Sequence, residues 1–153
     1  MTHPFRYYLR VRYLECDAQK VVFNARYGDY VDIGIVEYFR AMGLGHGILG
    51  GKIEVQLVKQ TTQWRSPARC DEVLELSIST RRLGTTSFTT LTEFRRAGES
   101  TVFADVETIY VLVDPQSFTK MPIPAELRAL LERGAPGAVI DHAGWLTAVS
   151  AHA

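Results

Sequence analysis

The 153 residues balance 17 lysines and arginines against 17 aspartates and glutamates, and 46% are apolar. A chain of this length forms one domain with a full core, and its zero net charge supplies no field to gather nucleic acid or an anionic membrane. No apolar run nears the roughly 20 residues that cross a bilayer, and two cysteines, Cys16 and Cys70, are too few for a disulfide framework or a metal cluster.

The opening stretch MTHPFRYYLR lacks the apolar centre of a signal peptide, so a reduced, cytoplasmic setting is expected. Phe5, Tyr7, Leu9, Val11 and Tyr13 alternate with Arg6, Tyr8, Arg10 and Arg12. This predicts a strand over Phe5–Tyr13 with one buried and one basic face. A long helix follows over Ala25–Met42, with Asn24 as N-cap and Gly43 ending it. It is apolar on most sides, through Tyr27, Tyr30, Val31, Ile35 and Phe39, as a helix wrapped by other structure would be. Gly28 and Gly34 each cost roughly 1 kcal/mol against alanine inside a helix, which implies a neighbouring backbone passing close by.

Gly45-His-Gly-Ile-Leu-Gly50 spells GxGxxG, but it follows a helix and precedes a strand. A dinucleotide turn needs the opposite order, so a flexible, ligand-gating loop is expected. Strands are predicted near Val55–Trp64, Glu72–Arg82, Thr86–Arg96 and Val102–Val113, with breaks at Arg82–Thr85 and Arg96–Ser100. Pro124, followed by Glu126, Leu127, Leu130 and Leu131, starts a short helix. The domain is expected over 1–134, with a weakly patterned tail over 135–153. A strand, a long helix and four strands without crossover helices give an α+β fold: an antiparallel sheet wrapped around one long central helix.

Glu15 and Asp17 stand two apart, on one face of extended backbone, just ahead of that helix. Asp17 has a plain reading as an Asx-turn residue or solvated acid. It also has a chemical reading. The first N–H groups of the helix lack intrahelical partners and carry positive partial charge. A thioester carbonyl aimed at them would have its oxyanion stabilised, while Asp17 attacks the carbonyl or activates water. No histidine and carboxylate stand at metal-ligand spacing, and there is no GxSxG elbow.

Glu15, Asp17, Ala18, Val21, Val22, Phe23, Asn24 and Tyr27 resemble the front motif of the hotdog-fold thioesterases of the 4-hydroxybenzoyl-CoA thioesterase family. Asp32 and Glu37 stand at matching acidic places in the helix. The likeness continues through Ser66–Leu74, Arg82–Phe88, Val113-Asp-Pro and Met121–Leu127, about residues 5 to 131 in all. The resemblance implies a hotdog fold, self-association as a dimer or tetramer, and acyl-CoA hydrolysis at a subunit interface without a metal or redox cofactor. It makes Asp17 the catalytic carboxylate and the backbone at Asn24 and Ala25 the oxyanion hole.

Val22, Phe23 and Tyr27 are the substrate-pocket candidates, with Tyr27 also readable as a packed helix aromatic. Lys59, Arg65, Arg81 and Arg82 are offered to the phosphates of CoA, with solvated strand cations as the plain alternative. Lys20 stands where many members have glycine; it could change the turn or pair with Asp17. Asn24 replaces the histidine of one branch. Two other readings stay open, a non-catalytic acyl-thioester binding protein and a hotdog hydratase or dehydratase.

Overall fold

Alternating side chains make β1 (Phe5–Arg10), and a computed structural model describing residues 3–152 buries its Phe5, Tyr7 and Leu9. The strand stops short of the expected Tyr13. A 3-10 turn at Tyr13–Glu15 replaces its end and leaves Tyr13 84% exposed. The cause is Glu15, whose carboxylate accepts the backbone N–H of Arg12 at 2.7 Å and closes a turn that extended backbone cannot make.

Helix α1 (Arg26–Ala41) is the longest of the four described α-helices. Its N-cap is Ala25 rather than Asn24, without a side-chain cap. Tyr27, Tyr30, Val31, Gly34, Ile35, Tyr38 and Phe39 form its buried stripe, at the three- and four-residue spacing of an amphipathic helix. The GxGxxG segment is not a flexible loop but helix α2 (Gly45–Leu49). Leu44 and Ile48, one turn apart, pack on the core, and the N–H groups of Lys52 and Ile53 both reach the carbonyl of Gly47 at 2.9 Å.

Four long strands follow: β2 (Glu54–Trp64), β3 (Val73–Leu83), β4 (Ser87–Arg96) and β5 (Val102–Val113). With β1 and β6 (Val139–Asp141) they make a mixed α+β sheet in the order β2-β5-β4-β3-β1-β6. The long neighbours are antiparallel, whereas β6 joins β1 in parallel, so the sheet is not antiparallel throughout. A Cβ on Gly34 would lie 2.9 Å from Ile78 Cδ1 and 3.4 Å from Leu76 Cδ2. The close neighbours of α1 there are β3 side chains, not the expected backbone.

After α3 (Ala125–Arg133), the stretch expected to be weakly patterned forms β6 and α4 (Trp145–Ala151). The Asp141 carboxylate accepts the N–H groups of Ala143 (3.0 Å), Trp145 (3.1 Å) and Leu146 (2.9 Å), which starts α4. His142, itself exposed, sets its ring edge-on to Tyr7 with centroids 5.1 Å apart. Three residues suffice for β6 because these bonds and the core face of β1 hold the segment, not its own strand propensity.

Candidate active site

Asp17 sits in a small hairpin built by its own backbone. Cys16 bridges Val22, the N–H of Asp17 donates to the Val21 carbonyl at 2.9 Å, and that of Lys20 donates to the Asp17 carbonyl at 2.9 Å. The Asp17 side chain caps the turn, its Oδ1 accepting the Gln19 N–H at 2.8 Å. This is the Asx-turn of the plain reading, yet it occupies one oxygen only. Among the described residues Oδ2 has no protein partner, and the side chain is exposed. Lys20 adopts φ +61°, the left-handed region that glycine enters without a Cβ penalty. A lysine here therefore keeps the glycine-type turn at some strain. Among the described residues it forms no ion pair with Asp17.

Glu15 is the buried member of the acid pair, 4% exposed. Besides the Arg12 backbone it accepts Arg12 Nη2 at 2.7 Å, Arg12 Nε at 3.0 Å and the Tyr30 hydroxyl at 2.9 Å. Burial pushes its carboxyl up, but these bonds outweigh burial and hold it below the ordinary glutamate range. Its carbonyl also accepts the Phe23 N–H at 2.9 Å. Glu15 thus ties the exit of β1 to the entrance of α1, and the Asp17 hairpin hangs between the two.

At that entrance the N–H of Arg26 turns back to the Phe23 carbonyl at 2.8 Å, and that of Tyr27 to the Asn24 carbonyl at 3.4 Å. The N–H groups of Asn24 and Ala25 find no acceptor among the described residues. They are two adjacent donors at the positive end of a 16-residue helix. Of the pocket candidates, Val22 is buried, Phe23 is 53% exposed and Tyr27 is buried. The Tyr27 hydroxyl accepts the Ala68 N–H at 3.4 Å, and its ring meets Phe94 and Trp64 edge-on at 5.3 and 6.0 Å.

These groups line two cavities. One, of about 480 Å3, gathers Tyr13, Cys16, Asp17, Ala18, Lys20 and Cys70. The other, of about 250 Å3, is lined by Val22, Asn24, Tyr27, Trp64 and Arg65, among others. They share no residue, so a single chain does not bring Asp17 and the head of α1 to one cavity. Cys70 and Trp64 were not legible as site residues. Each comes from a distant segment, and neither carries a local spacing that marks it.

Among the cations, Arg65 pairs with Asp105 at 2.7 Å. Lys59 lies beside a bulge in the exposed strand β2, and Arg81 and Arg82 lie at a bulge of β3, all three exposed. None lines the Asp17 cavity. Among the described residues no group of three His, Cys, Asp or Glu side chains is arranged to hold a metal, and no helix is long and apolar enough to cross a membrane.

The chain is 26% identical over 129 residues to the acyl-CoA thioester hydrolase YbgC of Escherichia coli O6:H1, covering 84% of this chain and 96% of that one. A hypothetical protein of Aquifex aeolicus superposes with a TM-score of 0.76 at 26% identity, over 84% of this chain and 99% of its own. A gentisyl-coenzyme A thioesterase superposes with a TM-score of 0.74 at 24% identity, over 82% and 98%, and shares the fold. The profile of the thioesterase-like superfamily matches residues 11–131, from the end of β1 to α3. That span takes in the hairpin, both cavities and the four long strands β2 to β5; the chain belongs to the thioesterase-like superfamily and, as its front motif implied, to the thioester hydrolases.

Proposed function

We propose that the protein is an acyl-CoA thioesterase that splits its substrate with water into a free acid and CoA, with Asp17 as the working carboxylate. The observation that carries this reading is the Asp17 side chain itself. One oxygen is fixed by Gln19, the other has no protein partner among the described residues, and the residue lines an open cavity. A carboxylate so oriented either adds to the thioester carbonyl or takes a proton from the attacking water. The N–H groups of Asn24 and Ala25 receive the carbonyl oxygen as it gains charge. Val22, Phe23 and Tyr27 supply the apolar wall for the acyl group.

Asp17 and Asn24 line separate cavities in one chain, which supports a site finished by a second copy. In this reading the sheet wraps α1 as in the hotdog fold. The exposed edge strand β2, with Leu57, Val58 and Trp64 half-exposed, supports self-association. Of the candidate cations, Lys59, Arg81 and Arg82 have no acid partner among the described residues and are offered to the phosphates of CoA. Two unbonded thiols support a reducing, cytoplasmic setting.

The test is CoA release from short, medium, long and aromatic acyl-CoAs by wild type and Asp17→Asn. Asparagine keeps an oxygen for the Gln19 N–H, so the turn survives while the carboxylate is lost. Turnover is expected to fall about 10²–10⁴-fold with an unchanged circular dichroism spectrum. Equal rates would remove Asp17 from the chemistry. Binding of the esters by wild type without CoA release would leave a non-catalytic binding protein instead.

A further inference from the structure

The chain has two cysteines, 16 and 70, and both line the cavity that holds Asp17. Nothing in the proposed hydrolysis uses a thiol. Backbone bonds bring the two segments together: Val22 N–H to the Ala68 carbonyl at 2.8 Å, Cys70 N–H to the Lys20 carbonyl at 3.0 Å, and a bridge between Val21 and Arg69. Both thiols are unbonded and partly exposed. Tyr13, Ala18 and Lys20, all exposed, leave the same cavity open to small solutes.

We propose that Cys16 and Cys70 are a dithiol switch: a peroxide closes them into a disulfide that stops turnover at the neighbouring Asp17, and a thiol reductant reopens them. The effect on turnover rests on the thioesterase reading above; the disulfide itself does not.

Cys16 is assigned the second attack from its own surroundings. Burial, and then a hydrogen bond with Cys70, push the Cys16 thiol up to about 11. Its Sγ also lies 3.6 Å from the Arg12 carbonyl. Cys16 therefore stays protonated and attacks second. The Cys70 sulfur attacks one oxygen of hydrogen peroxide. The O–O bond breaks, a sulfenic acid forms on Cys70, and the displaced hydroxide leaves as water with the thiol proton. The Cys16 sulfur then attacks the sulfenic sulfur. The S–O bond breaks as the S–S bond forms, and the second hydroxide leaves as water with the Cys16 proton. Two thiols have lost two hydrogens, and one peroxide has become two waters.

The bond adds a covalent tie to the backbone bonds that already join the Asp17 hairpin to residues 68–70. Cys16 adjoins Asp17 in the chain, so drawing its sulfur toward Cys70 moves the carboxylate and narrows its cavity.

The full chain is treated with a few equivalents of hydrogen peroxide, desalted, and digested without reductant beside untreated wild type, Cys16→Ser and Cys70→Ser. Loss of thioester absorbance gives each protein's rate relative to its own untreated sample. Wild type is expected to show one peptide pair joined through Cys16 and Cys70, at least a tenfold loss of turnover, and recovery with dithiothreitol. Neither serine variant is expected to form the pair or to show that reversible loss.

A sulfinic acid on one cysteine, or a link between two chains, with no Cys16–Cys70 peptide would overturn the proposal. So would the linked peptide forming with turnover unchanged. If untreated wild type hydrolyses no ester, the thioesterase reading fails by itself. The peptide map then still decides whether the disulfide exists, while its control of turnover falls with that reading.

Discussion

Glu15 carries five bonds through two of its groups: its carboxylate accepts from the Arg12 backbone, twice from the Arg12 guanidinium and once from Tyr30, while its carbonyl accepts from Phe23. A carboxylate held below its ordinary value of 4.5 stays ionised in the folded chain where the unfolded chain has begun to take up a proton. Its contribution to stability is therefore full above that value and is lost as pH falls through the lowered one. Glu15→Gln keeps the shape but not the charge and is expected to cost roughly 1–2 kcal/mol near neutral pH. The fall in thermal midpoint with acid should also be shallower in the variant, which unfolding scans across a pH series will show. An equally steep fall would assign the acid sensitivity to other carboxylates. The Asx-turn at Asp17 was legible because it needs only neighbours in the chain. The ties of Glu15 were less so, since Tyr30 reaches it only after α1 folds back onto β1.

Helix α1 was read from its apolar periodicity to within a residue at each end, because burial of the stripe dominates its free energy. Its cap was misread: Asn24 looks like a cap, but the turn at Phe23 already supplies the first bond. In α2 the glycines masked a helical turn that Leu44, just ahead of the motif, and Ile48 within it anchor on the core. The inference from Gly34 had the right consequence and the wrong neighbour. Its missing Cβ leaves room for Ile78 and Leu76, both buried in β3. Gly34→Ala gains about 1 kcal/mol of helix propensity but crowds a packed core, at a cost of about 1–3 kcal/mol. A net loss of roughly 1 kcal/mol is expected in urea unfolding. A stabilised variant would mean that Ile78 has a vacant rotamer to move into.

At the scale of the whole molecule, the five long elements of the fold were legible because alternation and helical period reach over ten or more residues. The β6–α4 segment was not, because three residues carry no period and their bonds are made with β1 and Asp141. Those same bonds give the sheet unlike borders. At one, β6 is too short to template another strand. At the other, the 11 residues of β2 are paired on one side only among the described residues. If the proposed dimer joins there, Val58→Lys should shift the chain to monomer in sedimentation velocity. An unchanged mass would move the interface to another face.

Such a sheet has a valence of one. A strand border that pairs with its own copy is consumed in the act, and the opposite border has nothing to offer a third chain. Growth by strand addition therefore terminates at two, and any larger assembly must come from faces. If β2 pairs with its own copy, the short tail after α3, by covering β1 with β6, keeps that pairing from running on into a fibre.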